Sequence, residues 1–591
     1  VTRARVISTS STRLPRGKGS VVVRSFMTHH QGMSILALAY LLLDSPMQKR
    51  FESEPLFQAT LLLLQERIPT VAPFYAHTAD FSDYRLSAGL QETPIRVITS
   101  HPPPVPEVQL LSNGRYHVMV TSAGGGYSRW KDLAVTRWRE DSTCDPWGTF
   151  CYLRDEDSGT FWSTTGQPVR TESGRYEAIF SEGRAEFRRF DHGIETHTEI
   201  AVSPEDDIEL RRVTISNKSG KRRTIEVTSY AEVVMAPPAA DALHPAFGNL
   251  FVQTEILRRE RAIFCTRRPR SRDESTPCMF HLMALQGRAI GEISYETDRT
   301  QFIGRGNTVA NPRAMIDMSD LTGSEGSVLD PIVAIRYRIT LDPDEKATVS
   351  MVTGVGNTRD AALAMVEKYQ DRRLADRVFG LAWTHSQVLL RQINATDADA
   401  QLYGRLAASM IHANNSLRAD AGILLKNRRG QSDLWGYSIS GDLPILLLTI
   451  EDPANIELVR QLAQAHAYWR LKGLSVDLVI WNEDHAGYRQ LLHDQIMGII
   501  AVGVEAYVAD REGSIFVRSA DQISEEDRIL IQTVARAIIT DGAGSLEDQI
   551  NRRKPVKKTM PALTTTRTDP DRAAPVAAEP RHDLLFFNGL G

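Results

Sequence analysis

Aromatic, arginine and carboxylate side chains are concentrated in residues 110–155, whose sequence is LLSNGRYHVMVTSAGGGYSRWKDLAVTRWREDSTCDPWGTFCYLRD. Flat aromatic rings beside planar hydrogen-bonding groups suit a sugar, which has apolar faces and a rim of hydroxyl groups. The alternative is a protein core in which the rings are anchors, with solvated arginines and carboxylates between them. The residue types by themselves leave both interpretations open. The side chains concerned are Tyr127, Trp130, Trp138 and Trp147, with Arg129, Arg137, Arg139 and Arg154.

Other reactive side chains do not form a recognisable catalytic or metal site. The neighbouring carboxylates Glu140 and Asp141, like Glu483 and Asp484, are of a kind that is usually solvated or salt-bridged. The adjacent histidines of FMTHHQGMS project in different directions, and no third metal ligand is evident nearby. The segment GGGYSRW lacks the GxGxxG spacing of a dinucleotide site, and no GxxxxGK[ST] loop is present. We therefore expect no catalytic residue, no metal and no cofactor in this chain.

Length and composition limit the classes of protein to consider. A chain of 591 residues with 42% hydrophobic and 24% charged residues is expected to form two to four globular units with large cores. The formal net charge of -4 is small for this length and argues neither for a nucleic-acid-binding protein nor for a strongly anionic one. Every apolar run is well short of the roughly 20 residues needed to cross a bilayer, so we predict no membrane span.

Hydrophobic periodicity divides the chain into segments. Residues 1–70 contain helical spacing of apolar residues, and a Pro-rich linker over residues 71–106 ends in HPPPVP. Residues 107–356 contain many β-branched runs separated by turn residues, which predicts one large all-β sandwich. The period is helical again over residues 357–540. Residues 541–591 include a basic stretch rich in Pro, Thr and Ala, for which we expect disorder.

The submotifs GGGYSRW, TRWRED, DPWGTF and YLRD, in this order and spacing, resemble the amino-terminal β-supersandwich domain of glycoside hydrolase family 94, formerly glycosyltransferase family 36. That family contains cellobiose and related disaccharide phosphorylases. The resemblance implies a carbohydrate-binding supersandwich over residues 107–356. SDLWGYSISGDLPILLL and YWRLKGLSVDLVIWNE resemble the helical linker that follows it in the family. There the linker leads into an (α/α) barrel that carries the catalytic Asp, and no such barrel follows here.

Two terminal segments resemble parts of cyclic β-1,2-glucan synthases. RSFMTHHQGMSILALAYLLLD followed by FQATLLLLQERIP is similar to the end of their glucoamylase-like (α/α) domain, so residues 1–70 are expected to be a remnant of that domain. LLFFNGLG at residues 584–591 is similar to the opening of a second sandwich module, after a tether. The predicted fold class is multidomain α+β: a short N-terminal helical remnant, a large all-β supersandwich and an α-helical linker region.

The resemblance implies a segment of a bacterial protein that builds β-1,2-glucan at the cytoplasmic side of the inner membrane. This chain is expected to be a carbohydrate-binding, accessory portion that is not catalytic alone. Its expected partners are β-1,2-linked glucan chains and the remaining modules of the synthase, with a homodimer left open and no nucleic acid. Two alternatives remain: a stand-alone family 94-like phosphorylase or hydrolase acting on β-glucans, and a structural interdomain scaffold.

Residues that match the family motifs form the candidate carbohydrate-binding or interdomain face. The alternative is that they specify the sandwich fold, because buried Arg–Asp pairs often serve architecture. Trp435, Asp442 and Tyr468 are expected to brace the linker against the sandwich. The candidate residues of the face are Tyr127, Trp130, Arg137, Trp138, Trp147, Arg154 and Asp155.

Overall fold

The computed structural model describes residues 2–7, 20–25, 28–53, 95–99, 106–171, 174–269, 276–484, 491–502 and 513–551, which fall into two compact units. In the first unit, strands β1 (Thr2–Ile7) and β2 (Ser20–Ser25) form an antiparallel hairpin. Helices α1 (Thr28–Leu42) and α2 (Pro46–Glu52) follow. The last 17 residues of the predicted glucoamylase-like remnant, residues 54–70, lie outside the described residues.

Helix α1 exposes large apolar side chains on several sides. Met33, Leu41 and Leu42 are 67%, 78% and 71% exposed. A helix that is apolar all round normally lies inside a larger core. Among the helices of the described ranges, none combines the length and the apolar character that a bilayer crossing demands.

Two large antiparallel sheets form the sandwich in the second unit, as the β-branched runs predict. The first sheet has nine strands, in the spatial order β15 (Val252–Leu257), β16 (Ala262–Arg267), β17 (Cys278–Gln286), β20 (Lys346–Gly356), β13 (Ile208–Asn217), β12 (Ile194–Val202), β11 (Arg184–Asp191), β10 (Arg175–Ser181) and β3 (Arg96–Ile98). Buried and more exposed residues alternate along β10 and β11, because successive side chains of a strand point to opposite faces.

The second sheet also has nine strands and faces the first. Its main path runs through β18 (Ala289–Asp298), β19 (Pro331–Leu341), β14 (Arg223–Ala236), β7 (Leu133–Thr136), β6 (Gly126–Trp130), β5 (Tyr116–Thr121) and β4 (Val108–Ser112). Strand β8 (Phe150–Asp155) also pairs with β14, and β9 (Phe161–Ser163) pairs with β8. One continuous apolar core between the sheets contains side chains from both, such as Val118 and Phe187.

His281 connects the two sheets through their shared core. Its Nδ1 lies 2.9 Å from Thr353 Oγ1 on the neighbouring strand β20, and its Nε2 lies 2.9 Å from Ser229 Oγ on β14 of the opposite sheet. The ring is fully buried. Burial, with a smaller effect of Arg211, lowers the pKa of His281 to about 3, so the ring is neutral in the folded protein.

Helices cover the outer faces of the sandwich. Helices α3 (Pro238–Leu243) and α4 (Pro245–Asn249) lie in the connection from β14 to β15, and α5 (Arg299–Ile303) and α6 (Arg313–Ile316) lie in the connection from β18 to β19. Helices α7 (Arg359–Tyr369) and α8 (Arg372–Gln392) pack on the outer face of the first sheet through residues such as Val366 and Phe379.

The region predicted as a helical linker contains a parallel sheet as well as helices. Its strands lie in the order β23 (Ile515–Ser519), β22 (Asp477–Asn482), β21 (Ile445–Ile450) and β24 (Ala535–Thr540), all parallel. Strands that are buried on both faces have continuous apolar sequences. Hydrophobic periodicity does not distinguish such sequences from those of buried helices. Residues 525–540, which lie in this segment of helical period, divide into the helix Glu525–Val534 and then strand β24.

The helices of this α/β region lie on both faces of the parallel sheet. They are α9 (Asp397–Ile411), α10 (Ala421–Leu424), α11 (Ile456–Leu471), α12 (Leu491–Val502), α13 (Glu525–Val534) and α14 (Leu546–Asn551). Helices α11 and α12 share a core with Leu446 and Leu448, whereas α13 packs on Leu447 from the other side. The multidomain α+β class is confirmed, with this parallel sheet as an addition.

Two predicted boundaries differ from the structure. Strand β3 lies inside the predicted linker over residues 71–106, but it pairs with β10 and therefore belongs to the sandwich. A strand of three residues before a Pro-rich stretch is too short to show the alternation of side-chain types by which strands are predicted. Residues 541–551, predicted as the start of a tether, form a 3₁₀ turn and α14, in which Leu546 is buried. The later tether and the predicted second module lie outside the described residues.

Replacing His281 with Leu tests the link between the sheets. At pH 7 we expect a loss of about 1–3 kcal/mol of unfolding free energy, because the Ser229 and Thr353 hydroxyls lose their buried partner. The folded pKa of His281 lies below the unfolded value of 6.5, so the histidine's contribution is present above pH 6.5 and is lost as the pH falls toward 3. The deficit of His281→Leu should therefore shrink at pH 4.5, as measured by thermal or denaturant unfolding.

The control for this measurement is His244→Gln, because His244 is exposed at the surface. We expect its unfolding midpoint to follow that of the wild type at both pH values. A deficit of His281→Leu that stays constant between pH 7 and pH 4.5 would contradict the assigned role of the buried imidazole.

Candidate functional site

A small open cleft lies on the outer side of the second sheet, where β6 and β7 meet α3. Its volume is about 40 Å³, which admits water molecules or the edge of a sugar ring. We call it the Arg137 cleft. Its lining comes from β6, β7, the three residues that follow β7, β14 and α3: Tyr127, Arg129, Ala134, Thr136, Arg137, Trp138, Arg139, Val234, Pro238, Asp241 and Ala242.

Strand geometry brings these side chains to one face. Tyr127 and Arg129 are two residues apart on β6 and therefore point the same way, while Ser128 and Trp130 point into the sandwich. Arg129 is paired in register with Ala134 of β7. The chain leaves β7 at Thr136, so residues 137–139 extend the floor of the cleft beyond the ladder.

Aromatic rings and guanidinium groups alternate along the cleft. Tyr127 and Trp138 meet edge to face, with ring centroids 5.7 Å apart. The guanidinium carbon of Arg129 lies 4.2 Å from the centroid of the Tyr127 ring, which is a cation–π distance. Arg139 lies 5.8 Å from the ring of Trp147, so the half-buried Trp147 flanks the cleft without lining it.

Arg137 ties the floor of the cleft to the surrounding elements. Its guanidinium contacts Glu232 of β14 at 2.7 Å and Asp241 of α3 at 3.2 Å, and it donates to Asn249 Oδ1 at 2.7 Å. A second arginine, Arg299, bonds the other oxygen of Glu232 at 2.7 Å. These bonds fix α3 and α4 against the last residues of β14, and the position of the cleft wall follows from them.

The network sets two arginines, Arg137 and Arg299, against three carboxylates, which are Glu232, Asp241 and Asp330. Burial alone would lower the pKa of Arg137, but Glu232 and Asp241 outweigh it and hold the pKa above its usual value. Asp330 lies 3.5 Å from Arg137 and 3.6 Å from Arg299, and burial beside Glu232 raises its pKa. Each of these carboxylates is thus within ion-pair distance of an arginine.

Trp130 lies in the core between the sheets, so the structure corrects its placement on a ligand-contacting face. It is 5% exposed, and its Nε1 donates to Asp207 Oδ2 at 2.7 Å. Asp207 also accepts from Arg115 Nε at 2.9 Å. Trp130 therefore holds β6 against the turn before β13, which is the fold-specifying alternative that the sequence left open.

Arg154 and Asp155 are likewise buried within the second sheet and cannot touch a glucan. Arg154 is fully buried and pairs with Glu226, which faces it across β8 and β14. Arg336 lies 3.7 Å from the same carboxylate, and burial lowers its pKa to about 10. Asp155 pairs with Arg223 at 2.8 Å. Both residues hold strands together.

The carboxylate pairs noted in the sequence are not arranged for acid–base catalysis. Glu140 forms a two-pronged ion pair with Arg536 of β24, at 2.7 and 2.8 Å. Asp141 Oδ1 accepts from the backbone and hydroxyl of Thr143. Glu483 and Asp484 lie just past the end of β22, in the α/β region.

Of the seven candidate residues, Tyr127, Arg137 and Trp138 therefore meet at the cleft. The candidate set omitted Arg129 and Arg139, although both belong to the motif stretch and strand alternation places Arg129 beside Tyr127. Asp241 had no sequence signal, since it lies about a hundred residues further along the chain, on a short helix.

The linker residues behave differently from one another. Tyr468 contacts the sandwich as expected: its hydroxyl donates to the buried Glu182 at 3.0 Å, and Lys472 lies 3.5 Å from the same carboxylate. Trp435 and Asp442 are exposed on the surface of the α/β region and do not brace the linker against the sandwich.

Comparison with known protein families agrees with this architecture. Residues 91–372 match the family model of the glycosyl hydrolase 94 supersandwich domain. This part of the chain is therefore similar to the supersandwich domain of that family.

Individual relatives extend the likeness. Over 98% of its length the chain is 32% identical to the cyclic β-(1,2)-glucan synthase NdvB of Rhizobium meliloti (strain 1021), of which it spans 21%. It is 26% identical to the N,N'-diacetylchitobiose phosphorylase of Vibrio furnissii, over 48% of this chain and 35% of that protein. It is 22% identical to the solabiose phosphorylase of Paenibacillus borealis, over 37% of this chain and 27% of that protein. These relatives support a glucan-related function.

Asp145, beside the glycine turn, provides a test of how the motif stretch is packed. Burial, with a smaller effect of Asp141, raises its pKa to about 6. The unfolded chain releases this proton first, so the folded protein loses stability as the pH rises from about 4 to 6. Asp145→Asn should therefore raise the unfolding free energy at pH 7.5 by about 1–3 kcal/mol and by little at pH 4. Denaturant unfolding at the two pH values measures this difference.

The matched control is Asp141→Asn, because Asp141 is only lightly buried and its pKa is lowered chiefly by its hydrogen bond with Thr143. No stabilisation is expected from that change. If Asp145→Asn instead lowers the unfolding free energy at pH 7.5, the Asp145 carboxylate is ionised and hydrogen-bonded in the folded protein, contrary to the expectation.

Proposed function

We propose that this chain is an accessory, carbohydrate-binding portion of a cyclic β-1,2-glucan synthase, and that the Arg137 cleft contacts the glucan. In the parent protein it would lie on the cytoplasmic side of the inner membrane. The observation that carries the proposal is the convergence of Tyr127, Trp138, Arg129 and Arg139 on one open cleft beside the sandwich.

The chemistry of the cleft matches a neutral sugar. The partly buried Trp138 ring offers apolar surface for the C–H faces of a pyranose, and the buried Tyr127 ring supports it edge to face. Arg129 and Arg139 supply planar donors for its hydroxyl groups. A volume of about 40 Å³ leaves most of a sugar unit above the cleft, so the glucan would lie across its mouth with one edge inserted.

A binding role without catalysis is supported by the state of the acidic side chains. Glu232 and Asp241 pair with Arg137, and Asp330 with Arg299, within the distances given above. Phosphorolysis of a glycoside needs a carboxylic acid that can protonate the leaving oxygen. Glu232 and Asp330 do not line the cleft, and Asp241, which does, is held by the Arg137 guanidinium.

Helix α1 supports association with the remaining modules of the synthase. Its exposed leucines and methionine would be stabilised by burial at roughly 25 cal/mol per Å². The helix is shorter than the roughly 20 residues required to cross a bilayer. We therefore assign α1 to the core of a helical, glucoamylase-like module completed by other parts of the parent protein.

Trp138→Ala should weaken binding of linear β-1,2-glucooligosaccharides about three- to tenfold, because one aromatic contact is worth about 0.5–1.5 kcal/mol. Isothermal titration calorimetry on the folded chain measures the dissociation constant. Trp383→Ala is the control for the loss of an indole, since Trp383 is solvent-exposed and lies on α8, which packs against the first sheet.

Unchanged affinity in Trp138→Ala would remove the cleft from the binding surface. A folded wild-type chain with no measurable affinity for the oligosaccharides would instead favour the structural scaffold.

The accessory role also predicts an assay result. With excess phosphate and linear β-1,2-glucooligosaccharides, the wild-type chain should release no glucose 1-phosphate, because the acids around the cleft are paired. Sustained release would overturn the accessory role and favour the stand-alone phosphorylase. An active family 94 phosphorylase assayed in parallel serves as the positive control.

A further inference from the structure

Trp435 presents an indole ring to solvent on the α/β region, far along the chain from the Arg137 cleft. It is 62% exposed and lies on a 3₁₀ helix, Gln431–Tyr437. Trp side chains are highly buried on average. The contacts of the 3₁₀ helix distinguish a loose surface loop from a rigidly held surface.

The 3₁₀ helix is firmly attached to the α/β region. Leu434, next to Trp435, is 1% exposed and packs in a core with Leu447 and Phe516 of the parallel sheet. The hydroxyl of Tyr437 donates to Asp527 at 2.9 Å, and Arg518 Nη2 donates to the Tyr437 carbonyl at 2.7 Å. The backbone that carries Trp435 is thus fixed from both sides.

A tight turn returns the chain to the indole. Ser438 and Gly441 both have positive φ, at 62° and 78°. A Cβ on Gly441 would lie 2.9 Å from Gln431 Cγ, so the turn requires glycine there. The turn places the Ser440 carbonyl where it accepts hydrogen bonds from Trp435 Nε1 at 3.3 Å and from Gln431 Nε2 at 2.9 Å. The ring is therefore oriented before any ligand arrives.

Polar groups border the ring. Gln431 Nε2 also donates to Asp442 Oδ1 at 3.0 Å, so one amide and one carboxylate lie together beside the indole. In the described part of the chain, the Gln431 amide oxygen and Asp442 Oδ2 take no hydrogen bond. The other exposed positions of the 3₁₀ helix, Ser432 and Gly436, add no apolar surface. A protein-docking surface normally has a contiguous apolar patch. A single aromatic ring beside oxygens that can accept hydrogen bonds from hydroxyl groups suits a saccharide instead.

We propose that Trp435, Gln431 and Asp442 form a second glucan-binding surface, on which the indole stacks against one sugar unit. Asp442 Oδ2 and the Gln431 amide oxygen accept hydrogen bonds from the hydroxyl groups of that unit. The ligand class, a neutral β-linked glucan, rests on the proposed function. The surface itself is independent of the Arg137 cleft, because the two share no residue.

The test uses the full chain and linear β-1,2-glucooligosaccharides in isothermal titration calorimetry. Trp435→Ala should weaken binding about three- to tenfold, as expected for the loss of one aromatic contact. Trp435→Phe should retain most of the affinity because it keeps a ring in place. Asp442→Asn should weaken binding less, since an amide oxygen still accepts a hydrogen bond. The matched control is Trp383→Ala, which removes another exposed indole.

The outcomes separate this proposal from the cleft. A loss in Trp435→Ala alone supports this surface and removes the cleft, whereas a loss in Trp138→Ala alone does the reverse. Losses in both support both sites. Wild-type affinity in Trp435→Ala overturns the proposal, and a changed sedimentation mass in that variant would assign the surface to a second copy of the chain.

Discussion

Strands β4–β6 carry apolar side chains on both faces, and the rest of the second unit is arranged around covering them. Val118 and Trp130 point into the core between the sheets, whereas Leu110, Met119 and Tyr127 point outward. An antiparallel sheet with one wet face would not need a further layer. Here α9, α11 and the parallel sheet bury the outward side chains. The α/β region is therefore part of the sandwich's own packing, and the Arg137 cleft lies at the margin of this contact.

Buried charges fix the positions of these layers. Glu182 and Lys472 are almost fully buried where α11 meets the turn between β10 and β11. Arg154 and Glu226 are equally buried within the second sheet. Taking such groups out of water is costly unless each finds its partner, so an alternative packing that separated them would be strongly disfavoured. The pairs contribute specificity of arrangement more than stability.

Alternate side chains of the motif stretch, residues 110–155, have two different roles, one in the core between the sheets and one at the surface. Along β6, Trp130 and Ser128 build the interior, while Tyr127 and Arg129 face the cleft. A residue of the motif therefore has a structural or a surface role according to which side of the strand it occupies. Trp435 extends this pattern to the α/β region, where a ring is oriented by its own backbone and left open to solvent. Both surfaces combine aromatic rings with planar polar groups.

The sequence by itself determined the sandwich, because strands with one buried face alternate in side-chain type and the motifs match a known family over residues 91–372. It also named Tyr127, Arg137 and Trp138. Only the tertiary structure decided that Trp130 and Arg154 are interior, since identical residue types on opposite strand faces look alike in one dimension. The parallel sheet was equally hidden, because strands buried on both faces have no alternation. Asp241 joins the cleft through a contact that spans about a hundred residues, and no local pattern records such a distance.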